Sequence, residues 1–146
     1  MMGNVMKFFM LCFFLFSGQV FSNEISPTGL WKSYDDQGKP TGFIRVTEDA
    51  GILIGRVERG LPEEKQVQFC SVCKDERKNQ PLLGMVIIKG LKAKGDYFEG
   101  DQILDPFTGN TYRVKLKLKD QGNKMEVRGF IGVSLFGITQ IWERVE

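Results

Sequence analysis

The stretch TYRVKLKLK at residues 111–119, the turn DQGN at 120–123 and the stretch KMEVRGFI at 124–131 decide the fold. In the first, Tyr112, Val114, Leu116 and Leu118 alternate with Arg113, Lys115, Lys117 and Lys119. A repeat of two puts the apolar set on one face of a strand and the cations on the other. Met125, Val127 and Ile131 continue an apolar face against Lys124, Glu126 and Arg128, so the two runs predict a hairpin closed by the turn between them.

The same alternation recurs outward from this hairpin. Gly29 to Tyr34 reads as a first short strand, ended by the turn Asp35-Asp36-Gln37-Gly38. Thr41 to Glu48 and Ile52 to Arg59 flank Asp49-Ala50-Gly51, where glycine supplies the positive φ of a short hairpin loop. Met85 to Lys89, Lys92 to Lys94, Tyr97 to Leu104 and Ile138 to Val145 complete the set. No window beyond the N-terminus groups apolar residues three and four apart, as an amphipathic helix requires. The expectation is an all-β chain of about eight short antiparallel strands. Such a meander either exposes two sheet edges or closes on itself, so a small β-barrel is expected, with a flattened two-sheet sandwich as the alternative.

Residues 1–22 read as a secretory signal peptide: Lys7, the apolar run Phe8 to Phe16, and a small-residue site at Val20-Phe21-Ser22. Nine apolar residues are too few to span a bilayer, which takes ~20. Cys12 lies within that run without the small residue a lipoprotein site places before its cysteine, so no lipid anchor is expected. Cleavage after Ser22 leaves residues 23–146 as a single barrel domain, exported and without a transmembrane segment. The full chain of 146 residues carries a formal charge of +2, and loss of Lys7 leaves +1. Such near-neutrality argues against nucleic acid as a partner.

The chemistry in the sequence is sparse. Histidine is absent, so a general base near neutral pH would have to be a carboxylate or lysine retuned by burial. Glu99, Asp101 and Asp105 sit close in sequence, but the first two alternate along a strand and read as solvated face charges. Asp105-Pro106-Phe107-Thr108-Gly109-Asn110 has the residues of a tight turn and too few spaced oxygens for calcium. Cys70 and Cys73 fall in the longest stretch without strand character, Gly60 to Pro81, a candidate lid over a barrel mouth. In an exported protein the default is a disulfide closing a turn. Redox catalysis would want a helix N-terminus in a βαβ unit, and zinc would need two carboxylates from elsewhere. No metal or other cofactor is expected. Gly129 to Gly137 is uncharged and glycine-studded, which suits a buried strand, a cavity mouth or a contact with a partner.

Gly29-Leu30-Trp31 and Arg144 resemble the lipocalin signature, in which a tryptophan opens the barrel and a late arginine packs over its indole. The cation–π contact so implied, worth ~0.5–2 kcal/mol, would join the first strand to the last. A fuller likeness runs through nearly the whole chain. Gly55-Arg56-Val57, Cys70-x-x-Cys73, Pro81-Leu82-x-Gly84, Ile103-Leu104-Asp105-Pro106-x-x-Gly109-x-x-Tyr112, Arg128-Gly129 and Thr139-Gln140-x-Trp142-x-Arg144 follow Gly29-Leu30-Trp31 in an order that is similar to the bacterial exported family called domain of unknown function 2147. That resemblance implies a small lipocalin-like barrel in the bacterial envelope or outside the cell, with no established activity and no catalytic residues.

Three functions are therefore weighed. The leading expectation is a non-enzymatic protein that holds a small hydrophobic or amphipathic molecule, such as a lipid, in its barrel. The inward candidates are Trp31, Ile44, Val46, Tyr112, Val114, Leu116, Met125 and Val127. The same side chains would serve a solid core equally well. The second is a filled barrel that binds or inhibits another envelope protein. The third is thiol–disulfide exchange at Cys70 and Cys73.

Overall fold

A computed structural model describes residues 25–60 and 68–146; the expected signal peptide and Cys12 lie outside the described residues. Eight strands follow one another: β1 (Gly29–Tyr34), β2 (Pro40–Asp49), β3 (Ile52–Arg59), β4 (Val86–Lys94), β5 (Tyr97–Leu104), β6 (Thr111–Lys119), β7 (Lys124–Phe130) and β8 (Gly137–Arg144). Each pairs antiparallel with the next, and β8 returns to β1 to close a meander barrel. The sandwich alternative is thereby excluded. The β6–β7 hairpin has Leu116 opposite Val127 and Leu118 opposite Met125, so the two apolar rows share one face.

Two short runs expected around Gly90 are a single strand, β4. Gly90 has φ of 71°, and a side chain there would run into the carboxylate of Asp101 on β5. A bend at this glycine breaks the alternation without ending the strand, which is why the period alone splits it. At the β2–β3 turn, Ala50 and Gly51 both have positive φ, 48° and 78°, matching the right-handed twist of the strands they join.

Meander topology puts alternate connections at opposite ends. The β2–β3, β4–β5 and β6–β7 turns and the last residues of the chain gather at one end, the closed end. Here Trp31 is fully buried, its Nε1 donating to the Pro27 carbonyl at 2.9 Å. Arg144 lies across its ring, 4.3 Å from the centroid. Between the ends, Leu53, Ile88, Leu91 and Trp142 join the β6–β7 side chains in one apolar cluster. Each large aliphatic side chain buried in this way contributes ~1.5–3 kcal/mol.

Candidate functional site

The interior divides along the barrel axis. Trp31, Ile44, Val46, Val114, Leu116, Met125 and Val127 are at most 4% exposed. Side chains with so little open surface touch protein on almost every side, and these seven of the eight inward candidates belong with Trp142 to one packed apolar cluster. Tyr112, the eighth, stands one step nearer the other end, the mouth, and is half-buried.

Space exists around Tyr112. A pocket of about 490 Å³ opens at the mouth, lined by Lys74, Asp75, Gln102, Asn110, Tyr112 and Ile131 among others. Of these, Tyr112 is an inward candidate from the sequence, Ile131 falls in a run suited to a cavity mouth, and Lys74 and Asp75 fall in the candidate lid. Beside it, Gly129 faces inward opposite Val114, and a Cβ there would meet Tyr112 Cβ at 3.5 Å. Its neighbour across the ladder is Ile138. Paired residues share a face, so Ile138 points inward, yet it is 54% exposed. An inward side chain that meets solvent marks an open stretch of the barrel between Tyr112 and the start of β8.

Over the β4–β6 side, the mouth is hooded by residues 68–82. Cys70 and Cys73 form a disulfide with Cα atoms 5.4 Å apart, and both are buried in the apolar cluster. Phe69 and Pro81 bridge the two limbs of the hood. Gly109, with φ of 74°, lies against the Val72 carbonyl, where any side chain would collide. Lys74 Nζ donates to Asn110 Oδ1 at 2.7 Å. Arg77, 6% exposed, is the hub: it donates to both Asp75 oxygens, to the Val86 carbonyl at 3.0 Å and to Gln102 Oε1 at 2.8 Å. These bonds hold the Asp75 carboxyl down at about 2, well below the ordinary carboxylate range. No sequence pattern announces Arg77 as a hub, because two of its three partners lie 9 and 25 residues away.

The other flagged groups have structural work. Glu99 accepts from Arg113 at 2.7 Å on the outer wall, and Asp105 accepts the Phe107 amide at 2.9 Å within its turn. Among the described residues no three acidic, cysteine or histidine side chains gather as metal ligands. Cys70 and Cys73 are 0% and 2% exposed, so an attacking thiolate has no path to either sulfur. Under native conditions, millimolar reductant at neutral pH is expected to leave the bond intact until denaturant is added. Alkylation followed by intact mass checks this, and prompt labelling of two thiols in the folded protein would contradict it.

Three comparisons place this geometry. A bacterial family model described as "Uncharacterized protein conserved in bacteria (DUF2147)" matches residues 29–144. No curated protein matches the sequence. The chain is similar to the solved structure of protein HP1028 from Helicobacter pylori, reported to belong to the lipocalin family, at 16% identity, TM-score 0.71 and 84% coverage of each chain. At that identity the likeness shows a shared fold.

Proposed function

The chain belongs to the bacterial family of uncharacterized conserved proteins known as DUF2147, and from its lipocalin-like barrel we propose that it is an exported, non-enzymatic protein that binds a small hydrophobic or amphipathic molecule at the barrel mouth. The observation that carries this reading is the pocket around Tyr112, continuous in chemistry with the inward yet exposed Ile138. Its polar wall, Lys74, Gln102 and Asn110, suits a headgroup; Tyr112 and Ile131 suit a chain. Its volume falls within the ~300–1,000 Å³ common for small-molecule sites.

In this reading Tyr112 touches the ligand. Trp31, Ile44, Val46, Val114, Leu116, Met125 and Val127 form the floor beneath it. A shallow seat buries less apolar surface than a deep cup, so micromolar affinity is expected. The absence of histidine and the engagement of Glu99 and Asp105 in structural bonds support a binding rather than a catalytic role.

Delipidated protein titrated with fatty acids and lysophospholipids, followed by native mass spectrometry, tests the proposal. One-to-one adducts are expected with at least one class. Tyr112→Ala should weaken them about tenfold, with a melting temperature within a few degrees of wild type. No adduct with any member of the panel would overturn it.

A further inference from the structure

Among the described residues, β8 is fully paired on one side and only briefly on the other. On its β7 side, β8 pairs residue for residue from Gly137 to Glu143. On its β1 side the ladder contains only Trp31 with Arg144 and Lys32 with Glu143. Below these, the Val145 amide donates to the Leu30 carbonyl at 2.8 Å, whereas the Arg144 amide donates to Asn123 on the β7 side at 2.9 Å. Backbone groups alternate sides along a strand, so the amides and carbonyls of Gly137, Thr139 and Ile141 point toward β1. Counting from the Lys32–Glu143 pair, β1 ends at Tyr34 opposite Ile141. Gly137 and Thr139 face no strand, and their backbone groups have no hydrogen-bond partner among the described residues.

Natural sheets blunt such edges with lysine, proline or inward charges. This one has none of them: Gly129 to Trp142 contains neither a charged residue nor a proline. Ile138 on the inner face and Ile141 on the outer are 54% and 44% exposed. The β7–β8 loop extends the same apolar surface, with Ile131, Val133, Leu135 and Phe136 between 60% and 77% exposed. That loop is not slack. Arg128 donates to the Ser134 carbonyl at 2.6 Å, the Leu135 carbonyl at 3.1 Å and Thr139 Oγ1 at 2.6 Å, fixing the loop against the start of β8.

We propose that Gly137–Ile141 is a docking edge that takes an extended, uncharged, apolar-rich segment of a partner polypeptide as an added strand, with the pinned loop covering its mouthward end. The occupant follows from the edge's chemistry. Unpaired amides and carbonyls are matched by another peptide backbone and not by a hydrocarbon chain. The free edge, Gly137–Ile141, is short and begins where its pairing with β1 stops, which suits a single extended segment better than the wall of a second barrel. The edge adjoins the ligand pocket at Tyr112, sharing Ile131 with its rim, but what it offers is backbone donors and acceptors rather than a cavity.

The probe is a fluorescein-labelled octapeptide of alternating valine and threonine, followed by anisotropy against the whole protein. Two further probes carry N-methyl groups on alternate amides, one set in each register. Binding of the plain peptide is expected, with one methylated register at least tenfold weaker and the other nearly unchanged. Thr139→Pro, which removes an edge amide and leaves the β7 ladder its donors, should also weaken binding at least tenfold. If that variant fails to fold, the paired N-methyl probes still decide, since they use wild-type protein. Equal binding of both methylated registers, no binding of any peptide, or wild-type affinity in a folded Thr139→Pro protein each overturns the proposal. Concentration-dependent dimers dissolved by the peptide would assign the edge to a second copy and overturn the partner assignment.

Discussion

Arg144→Ala is expected to destabilise the fold by ~3–5 kcal/mol, a fall of about 10–20 °C in melting temperature for a domain of this size. The guanidinium does four things at the closed end. It covers the Trp31 indole at 4.3 Å and donates to the carbonyls of Gly122, Thr28 and Ser26 at 2.6, 2.7 and 2.6 Å. One side chain therefore ties β8 to the β6–β7 turn and to the segment entering β1. Hydrogen bonds from a charged donor contribute ~1.5–3 kcal/mol each, though bonds sharing one donor do not add fully. Burial lowers the arginine's pKa from its ordinary value, but it stays charged through the accessible pH range. Arg144→Lys should recover less than half of the loss, because a compact ammonium cannot cover the indole and reach three diverging carbonyls. Thermal denaturation of the two variants is the measurement. A loss below ~1 kcal/mol for alanine would show that the β1–β8 seam is held by its ladder alone.

Arg144 also shows what a sequence can and cannot convey. Its stacking over Trp31 is what the likeness of Gly29-Leu30-Trp31 and Arg144 to the lipocalin signature implies. Its three carbonyl partners are not implied, since backbone acceptors leave no mark on residue identity. The barrel was legible for a related reason: period two reports which way each side chain points, and the hairpin of β6 and β7 reports it without ambiguity. Direction is not volume. Tyr112, Val114 and Leu116 all face inward, but whether they line a hollow depends on the bulk arriving from across the barrel. Trp142 on β8, two strands from Ile44 on β2 around the closed barrel, supplies part of that bulk. Gly129 does the reverse, leaving space beside Tyr112 that its own strand pattern does not announce. The open edge of β8 was equally hidden. Strand propensity for Ile138 to Val145 marks the strand, whereas its lack of a partner arises from where β1 stops. The uncharged run from Gly129 to Gly137 was the one visible sign, and it fitted core and contact surface alike.

The hood over the mouth has its own weak point, and Arg77→Ala is expected to release it. The buried guanidinium joins Asp75 within the hood to Val86 on β4 and Gln102 on β5. Removing it leaves Asp75 without its cation, but that carboxylate is 31% exposed and water can solvate it, so the loss is nearer the ~1.5–3 kcal/mol of hydrogen bonds from a charged donor than that of a fully buried pair. Much of that cost is expected as local opening, because residues 68–82 carry few other bonds to the wall. Amide exchange at Cys70, Asn79 and Leu82, whose hydrogen bonds stay within the hood, should accelerate by about 100-fold, while amides of β6 and β7 change little. The pair also dictates a pH dependence. The side-chain and backbone bonds from Arg77 lower the Asp75 pKa from 3.8 to about 2. A folded-state value below the unfolded one means that the carboxylate's contribution is complete above pH ~4–5 and is lost as pH falls toward 2. Asp75→Asn keeps the shape and discards the charge. The denaturant midpoint of wild type should therefore exceed that of Asp75→Asn at pH 6, and the gap should close between pH 4 and pH 2. No gap at pH 6 would mean that Arg77 is held by Val86 and Gln102 alone, with the carboxylate a bystander; a gap that persists unchanged to pH 2 would mean that it does not arise from the carboxylate's charge.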